Sequence, residues 1–315
     1  MQVFRQIAFV FAVLASVATL GPIPVSAQAG GITLPEGTRA NSLKVKNSCD
    51  FAVWMQQQNI TGAPEIKKLK SGKSYTYAIL PAGVPSARVW PKKGCDKNGQ
   101  NCKIGQTLPP CPSTGCQPAI DSLVEATFAC VGPGCDVTKA NTFYDISQVD
   151  GYTLPFRLTA KGTETNSACV NVNCSKFSNS SCPKNEDISS NGKYPQYKSV
   201  DLRARNPSTN KVIGCFSPCE KLTAGTAVGG FGLAPDSDQA ILYCCPSFKD
   251  DPQRTKQVQK ACLAGPVPDT KYVNFVHKAC NSRAYAWAYD DINGNLSCTG
   301  FTRLTMEICP GKKKK

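Results

Sequence analysis

The cysteines limit what this 315-residue chain can fold into more than any other feature. There are 18 of them, spread from Cys49 to Cys309, and an even, high count predicts a disulfide framework in an oxidising compartment. Zinc binding is another use of many cysteines, but the sole histidine is His277 and no pair of CxxC elements has finger-like spacing. We therefore predict disulfides, no metal and no cofactor, and for His277 a surface or helix position without chemistry.

The N-terminus indicates that the compartment is oxidising. Arg5 precedes a short apolar run, and small residues follow around Ala27. This order is typical of a secretory signal peptide, and the run is short for a bilayer span, which takes about 20 apolar residues. We predict a signal peptide over 1–27, cleaved after Ala27 or Ala29, and a secreted protein.

The formal net charge of +14 predicts attraction to anionic surfaces, such as acidic wall polymers or charged membrane faces. Four lysines close the chain within a segment, 311–315, that we expect to be a solvated basic tail. Nucleic acid is a poor partner for a secreted chain, and the sequence has no zinc-finger, helix-turn-helix or RNA-sheet motif.

Alternating apolar and polar residues begin at Leu43 and predict strands joined by Gly, Pro and Asn turns. Two cysteine-rich, loop-like stretches interrupt them. We predict a mainly β fold: an antiparallel β-sandwich core, an inserted disulfide-rich lobe of loops and short helices, and a small disulfide-stapled third region. The first and last strands are expected in one sheet. The expected boundaries are a linker at 28–42, core at 43–93, 126–174 and 281–310, the small region at 94–125 and the lobe at 175–280.

The stretch TFYDISQVDGYTLP, residues 142–155, is the first candidate for a functional surface. Two aspartates, Asp145 and Asp150, stand among Phe143, Tyr144 and Tyr152, with strand-type residues on both sides of an Asp-Gly turn. Carboxylates for hydroxyls and ring faces for C–H groups suit a carbohydrate groove. An ordinary strand with a polar loop is the alternative, and core packing is the alternative for at least one aromatic ring.

Seven short motifs occur in a characteristic order: NSCDFAVW, ARVW, LVEATF, FYDISQVDGYTLPF, YCCP, AYAWAYDD and LTMEICP. From Leu43 to Pro310 this order resembles the thaumatin-like proteins, the pathogenesis-related family that includes osmotin and zeamatin. Two departures stand out. Gln106 replaces a usual aspartate, and the lobe is longer around 185–200 and 223–238.

The resemblance implies a disulfide pairing, since the family carries sixteen cysteines in eight bridges. Cys130 and Cys135, the two left over, flank a glycine turn and predict a ninth bridge. The pairs carried over are Cys49–Cys309, Cys95–Cys102, Cys111–Cys116, Cys169–Cys298, Cys174–Cys280, Cys182–Cys215, Cys219–Cys244 and Cys245–Cys262.

The resemblance also implies an acidic cleft between sandwich and lobe, built in antifungal members from one arginine, one glutamate and three aspartates. By this resemblance Glu125 would be the acid and Asp150 the nucleophile or base. Tyr144 and Tyr152, from the stretch 142–155, are the candidates to line the groove and contact substrate. Asp291 is the alternative to Asp290. The five matching residues are Arg88, Glu125, Asp145, Asp150 and Asp290.

The function implied by the resemblance is that of a secreted, monomeric, antifungal defence protein of the apoplast or cell wall. It would bind β-1,3-glucan or another wall polysaccharide, and whether it also has weak endo-β-1,3-glucanase activity stays open. The alternative is a non-enzymatic binding protein, either an inhibitor of a microbial hydrolase or a receptor-binding signal, whose contacts lie in the lobe insertions. Of four glycosylation sequons, Asn59 in QQQNITG is the best candidate.

Overall fold

The computed structural model describes residues 41–80, 83–129, 141–162 and 169–311. The expected signal peptide, most of the linker, the Cys130–Cys135 bridge and the four terminal lysines lie outside the described residues. Within these ranges, no helix has both the length and the apolar character needed to cross a bilayer.

The described residues form strands more than helices, as predicted. The strands are β1 Ser42–Asn47, β2 Val53–Gln58, β3 Ile66–Leu69, β4 Ser74–Ala78, β5 Val84–Lys93, β6 Leu123–Phe128, β7 Asn141–Ser147, β8 Gly151–Tyr152, β9 Phe156–Gly162, β10 Val172–Cys174, β11 Arg203–Arg205, β12 Val212–Phe216, β13 Leu296–Thr299 and β14 Thr302–Ile308. The α-helices are α1 Pro218–Thr223, α2 Ile241–Cys244, α3 Pro252–Leu263, α4 Lys271–Ala279 and α5 Asp291–Gly294.

Two large sheets make up the sandwich. One has six strands in the order β13-β7-β6-β5-β2-β3, and the other has five in the order β10-β9-β14-β1-β4. Alternation sets which side chains face the core: in β1, Leu43 and Val45 are buried while Lys44 and Lys46 are exposed. Most neighbours are antiparallel, but β1 and β14 pair in parallel. The first and last strands therefore lie in one sheet, as predicted.

The lobe is inserted in the chain between strands β10 and β13 and has its own helices and strands. A three-stranded sheet, β11-β12-β8, joins it to the short strand that follows the Asp-Gly turn. In α4, Tyr272, Val273, Val276 and Ala279 are buried at helical spacing, and Thr270 caps the first turn by accepting from the Val273 amide. The disulfides add to this core, and all eight pairings carried over from the family are formed.

The small region between β5 and β6 has little regular structure and is organised by one buried side chain. The Gln106 amide nitrogen donates to the carbonyls of Leu108 and Pro110, each at 2.9 Å, and to the Gln100 side chain at 2.8 Å. Its amide oxygen accepts from the Cys102 backbone at 3.3 Å. Strand β6 begins at Leu123, so the expected boundary at 125 falls inside a strand of the six-stranded sheet.

One ion cluster ties three strands of the five-stranded sheet together. Glu307 on β14 accepts from Lys46 at 2.8 Å and Ser48 at 2.6 Å, and its second oxygen pairs with Arg157 on β9. Burial opposes the charge, but these hydrogen bonds outweigh it and lower the pKa of Glu307 to about 2.

We expect Glu307→Gln to lower the free energy of unfolding by about 1–2 kcal/mol at pH 7, a modest value because both cationic partners are half exposed. Because the folded-state pKa is depressed, this contribution is complete above the unfolded-state pKa and is lost as the pH falls through about 2. Urea titrations of wild type and variant at pH 7 and pH 2 test this. Equal destabilisation at both values would show that packing, not charge, is responsible.

Candidate functional site

A row of polar side chains crosses four adjacent strands of the six-stranded sheet. Gln58 on β2 lies opposite Arg88 on β5, Arg88 opposite Glu125 on β6, and Glu125 opposite Asp145 on β7. Directly paired residues share a face of a sheet, so register alone brings these four together. The Arg88 Nε donates to Glu125 Oε1 at 2.6 Å, which makes this pair the centre of the row.

A cavity of about 140 Å³ lies beside this row, between the sheet and the small disulfide-stapled region. It is smaller than the 300–1,000 Å³ typical of drug-sized ligands, so an extended ligand would enter it with only part of its length. The side chains that matter for its chemistry are Arg88, Trp90, Thr107, Asp121, Ser147 and Asp150.

Asp150 is held at the cavity by the lobe as well as by the sandwich. Its backbone carbonyl accepts from the amide of Ser217, the residue that caps helix α1. The residue is open to water but has protein on most sides. This surrounding protein raises the pKa of its carboxyl to about 6, with Arg88 opposing the shift and Glu125 adding to it. Asp150 is therefore mainly ionised at neutral pH.

Asp145 has the opposite character. Burial, followed by the neighbouring charge of Glu125, raises the pKa of its carboxyl to about 8, and Arg88 offsets only part of this. Its Oδ1 atom is buried without a hydrogen-bond partner among the described residues. Asp145 is therefore protonated at neutral pH and does not line the cavity.

One further acid, Asp121, lines the cavity and another, Glu220, lies near enough to feel the charge of Asp150, although sequence reasoning selected neither. Burial raises the pKa of Asp121 to about 7, and Thr107 Oγ1 donates to its Oδ2 at 2.8 Å. Glu220 on α1 has its pKa raised to about 8, first by burial and then by the charge of Asp150. Neither residue stands in one of the family motifs, and only the fold brings them to the cleft.

The expected substrate contacts of Tyr144 and Tyr152 are wrong. Both side chains are almost completely buried. The Tyr144 hydroxyl bonds to the backbone of Val170, and the Tyr152 ring stacks on Phe177 with 4.3 Å between centroids. Strand alternation explains this for β7, because Tyr144 points opposite to Phe143 and Asp145. Phe143, which is 48% exposed, is the aromatic side chain on the Asp145 side of β7.

Asp290 does not line the cavity either. Its carboxylate accepts from the Ala286 amide at 2.9 Å and the Asn293 side chain at 2.7 Å, and it lies 2.6 Å from His277 Nε2. His277 is a helix residue, as expected, but it has a buried acidic partner that the sequence did not reveal. The alternative residue, Asp291, is exposed and accepts from the Tyr285 hydroxyl at 2.7 Å.

Asn59, the glycosylation candidate, follows directly after Gln58 of the polar row. It is exposed and in the left-handed region, with φ of 67°, at the turn after β2. Its side-chain nitrogen donates to the Ser86 carbonyl at 2.9 Å, so attachment of a glycan there would alter this contact. No group of three metal-ligating side chains occurs in the part of the chain that the structure describes.

The fold and the site define a disulfide-stapled β-sandwich protein with a small cavity lined by Asp121 and Asp150. The chain belongs to the Thaumatin family, whose model matches residues 47–310. It is similar to thaumatin-like protein 2 from Prunus persica, at 29% identity over 87% of this chain and 92% of that protein. It is also similar to a glucan endo-1,3-beta-glucosidase from Prunus avium, at 28% identity over 87% and 92%.

Among solved structures, a family 64 laminaripentaose-producing beta-1,3-glucanase from Paenibacillus barengoltzii, complexed with laminarihexaose, aligns with 85% of this chain and 74% of its own. The sequence identity of that alignment is 14% and the TM-score is 0.44.

Proposed function

We propose that this protein is a secreted, antifungal defence protein that binds β-1,3-glucan of microbial walls in the cleft between the sandwich and the small region. The observation that carries the proposal is the cross-strand row of Gln58, Arg88, Glu125 and Asp145 beside the cavity with Asp150. The name of the Prunus avium relative supports the choice of a 1,3-linked glucan.

The chemistry of the row suits a neutral polysaccharide. Arg88 and Gln58 supply hydrogen-bond donors, and the carboxylates of Glu125 and Asp150 supply acceptors for sugar hydroxyls. Phe143 offers an exposed ring on the same side of the sheet as Asp145, where it can lie against the C–H face of a sugar. The acceptors outnumber the cations, so an uncharged ligand rich in hydroxyls fits better than an anionic one.

The geometry supports binding more strongly than hydrolysis. Glycoside hydrolysis needs a protonated acid beside an ionised partner. Glu125, expected as that acid, instead forms an ion pair with Arg88 that would have to open before a proton could be delivered. Weak endo-β-1,3-glucanase activity therefore stays a secondary part of the proposal, with Asp150 as the accessible ionised carboxylate.

Co-sedimentation with insoluble β-1,3-glucan tests the proposal, with release of reducing ends measured on the same samples. We expect Arg88→Ala and Glu125→Gln each to weaken binding about tenfold, because each leaves a polar partner unpaired in the row. Arg254→Ala is the matched control: this arginine is paired with Asp236 in the lobe and does not line the cavity. Its binding should equal that of wild type.

Wild-type protein that neither binds the glucan nor releases reducing ends would overturn the proposal. That result would favour the alternative of a hydrolase inhibitor or receptor-binding signal, with contacts from the two lobe insertions. Those insertions meet where Tyr197 and Phe231 pack together, with 4.9 Å between ring centroids and Phe231 partly exposed.

A further inference from the structure

We propose that Trp90, Thr107 and Asp121 form a separate hydroxyl-binding subsite of the cleft, which takes one neutral glucosyl unit of the polysaccharide. The inference rests on the proposed glucan binding and adds a location and three residues to it. None of the three belongs to the five residues expected from the family resemblance.

Two residues that line the cavity each carry a buried polar atom without a partner. Trp90 and Asp121 both line it and are only 4% and 9% exposed, yet Trp90 Nε1 and Asp121 Oδ1 make no hydrogen bond to any described residue. A buried donor or acceptor without a partner is costly, and native proteins rarely leave one. One is a donor and the other an acceptor. Sugar hydroxyls both donate and accept, so they can supply the partner that each atom lacks.

The small region holds this pair in position. Thr107 Oγ1 donates to Asp121 Oδ2, which orients the carboxyl group and leaves Oδ1 as the free acceptor when the group is ionised. Thr107 directly follows Gln106, whose buried side-chain amide holds the loop in place by donating to the carbonyls of Leu108 and Pro110. The departure from the family pattern at Gln106 therefore lies next to the residue that orients Asp121.

The surroundings of the subsite select a neutral ligand. Leu108 and Leu123 line the same cavity and offer apolar contact to sugar C–H groups. Asp121 and Asp150 line the cavity with one cation, Arg88, and the charge of Lys92 also acts on Asp121. An anionic sugar unit such as a uronate would meet both carboxyl groups, whose charges these cations already balance in part. A glucosyl unit, with several hydroxyls and no charge, matches the donor, the acceptor and the apolar lining.

Tryptophan fluorescence and calorimetric titration with a soluble β-1,3-linked glucose hexamer test the subsite. The chain has three tryptophans, and Trp90→Phe removes the N–H donor while keeping a ring. We expect Trp90→Phe to abolish the ligand-induced fluorescence change and to weaken binding about tenfold. Trp54→Phe is the matched control, because Trp54 lies on the neighbouring strand with an unpartnered Nε1 but does not line the cavity.

Two substitutions at Asp121 separate hydrogen bonding from structural support. Asp121→Leu removes the acceptor and should weaken hexamer binding about tenfold, whereas Asp121→Asn keeps an Oδ1 acceptor and should bind within about threefold of wild type. Melting temperatures measured alongside report any structural effect, and if the Leu variant does not fold, Trp90→Phe still decides. An oligogalacturonide of equal length should bind wild type at least about tenfold more weakly than the glucose hexamer does.

The outcomes distinguish this inference from the proposed function. If Arg88→Ala weakens hexamer binding but Trp90→Phe and Asp121→Leu leave it unchanged, the subsite is overturned and the proposed glucan cleft stands. Failure of wild type to bind the hexamer at all would overturn both. Weaker binding by Trp90→Phe and Asp121→Leu, with Trp54→Phe equal to wild type, would establish the subsite.

Discussion

Replacing both cysteines of the Cys49–Cys309 disulfide with alanine is expected to lower the free energy of unfolding by about 4–5 kcal/mol at 25 °C. The bridge joins the ends of the parallel strands β1 and β14 across 260 residues and is almost fully buried. The Cys169–Cys298 bridge shortens the loop that Cys49–Cys309 closes in the unfolded chain, but leaves it longer than about 100 residues. In the chain-entropy model such a loop gives one of the largest stabilisations that a single disulfide can provide.

The matched control is the Cys111→Ala/Cys116→Ala variant. This bridge spans only 5 residues in the small region, so the same model gives about 2 kcal/mol. Guanidinium titrations of the two variants and wild type under non-reducing conditions provide the comparison. Equal losses in the two variants would show that loop length does not govern the effect and that local packing does.

The core and the disulfides were the parts of this fold most accessible to sequence reasoning. Alternation from Leu43 onward predicted strands, because that signal is local, and the resemblance to the family supplied the cysteine pairing. The parallel pairing of β1 with β14 was not predicted, since alternation shows which face of a strand is buried but not the direction of its neighbour.

The candidate site was predicted only where register and motif agree. Arg88, Glu125 and Asp145 come together because they lie opposite one another on adjacent strands, although Glu125 and Asp145 do not line the cavity. Tyr144 was misplaced although its position relative to Asp145 already indicated the opposite face, a signal that could have excluded it. Asp290 was misplaced because its motif, AYAWAYDD, does not show that the carboxylate pairs with His277 of the preceding helix α4.

Asp121 and Glu220 were missed for a different reason. An acid in a loop or at a helix start is ordinary in sequence, and only three-dimensional packing shows that burial raises the pKa of each. Together with Asp145 they give the folded protein three carboxyl groups whose pKa values lie near or above neutrality. The unfolded chain has none, because free Asp and Glu titrate near pH 4.

This difference predicts that the protein becomes less stable as the pH rises from about 5 to about 8. A carboxyl whose folded-state pKa is raised contributes stability that is complete below the unfolded-state pKa and is lost as the pH rises through the folded-state pKa. Each group that keeps its proton only when folded contributes a slope of about 1.4 kcal/mol per pH unit. The melting temperature should therefore fall as the pH rises from 5 to 9. Ionisation of Glu307 has the opposite effect, because it raises stability as the pH rises from about 2.

The Asp145→Asn variant removes the largest single contribution to this loss of stability with rising pH. At pH 5 Asp145 is neutral in the folded protein but ionised in the unfolded chain, about one pH unit above its free pKa, so the amide should stabilise the variant by only about 1–2 kcal/mol. At pH 9 the wild-type carboxylate is ionised beside Glu125, and the stabilisation should be larger by about 4 kcal/mol, because the slope of about 1.4 kcal/mol per pH unit acts from pH 5 to the folded-state pKa of about 8. Asp250→Asn, which makes the same charge change at an exposed position, should show no such pH dependence. An Asp145→Asn variant that is destabilised equally at pH 5 and pH 9 would mean that Asp145 is ionised in the folded protein throughout, stabilised by Arg88 rather than protonated by burial.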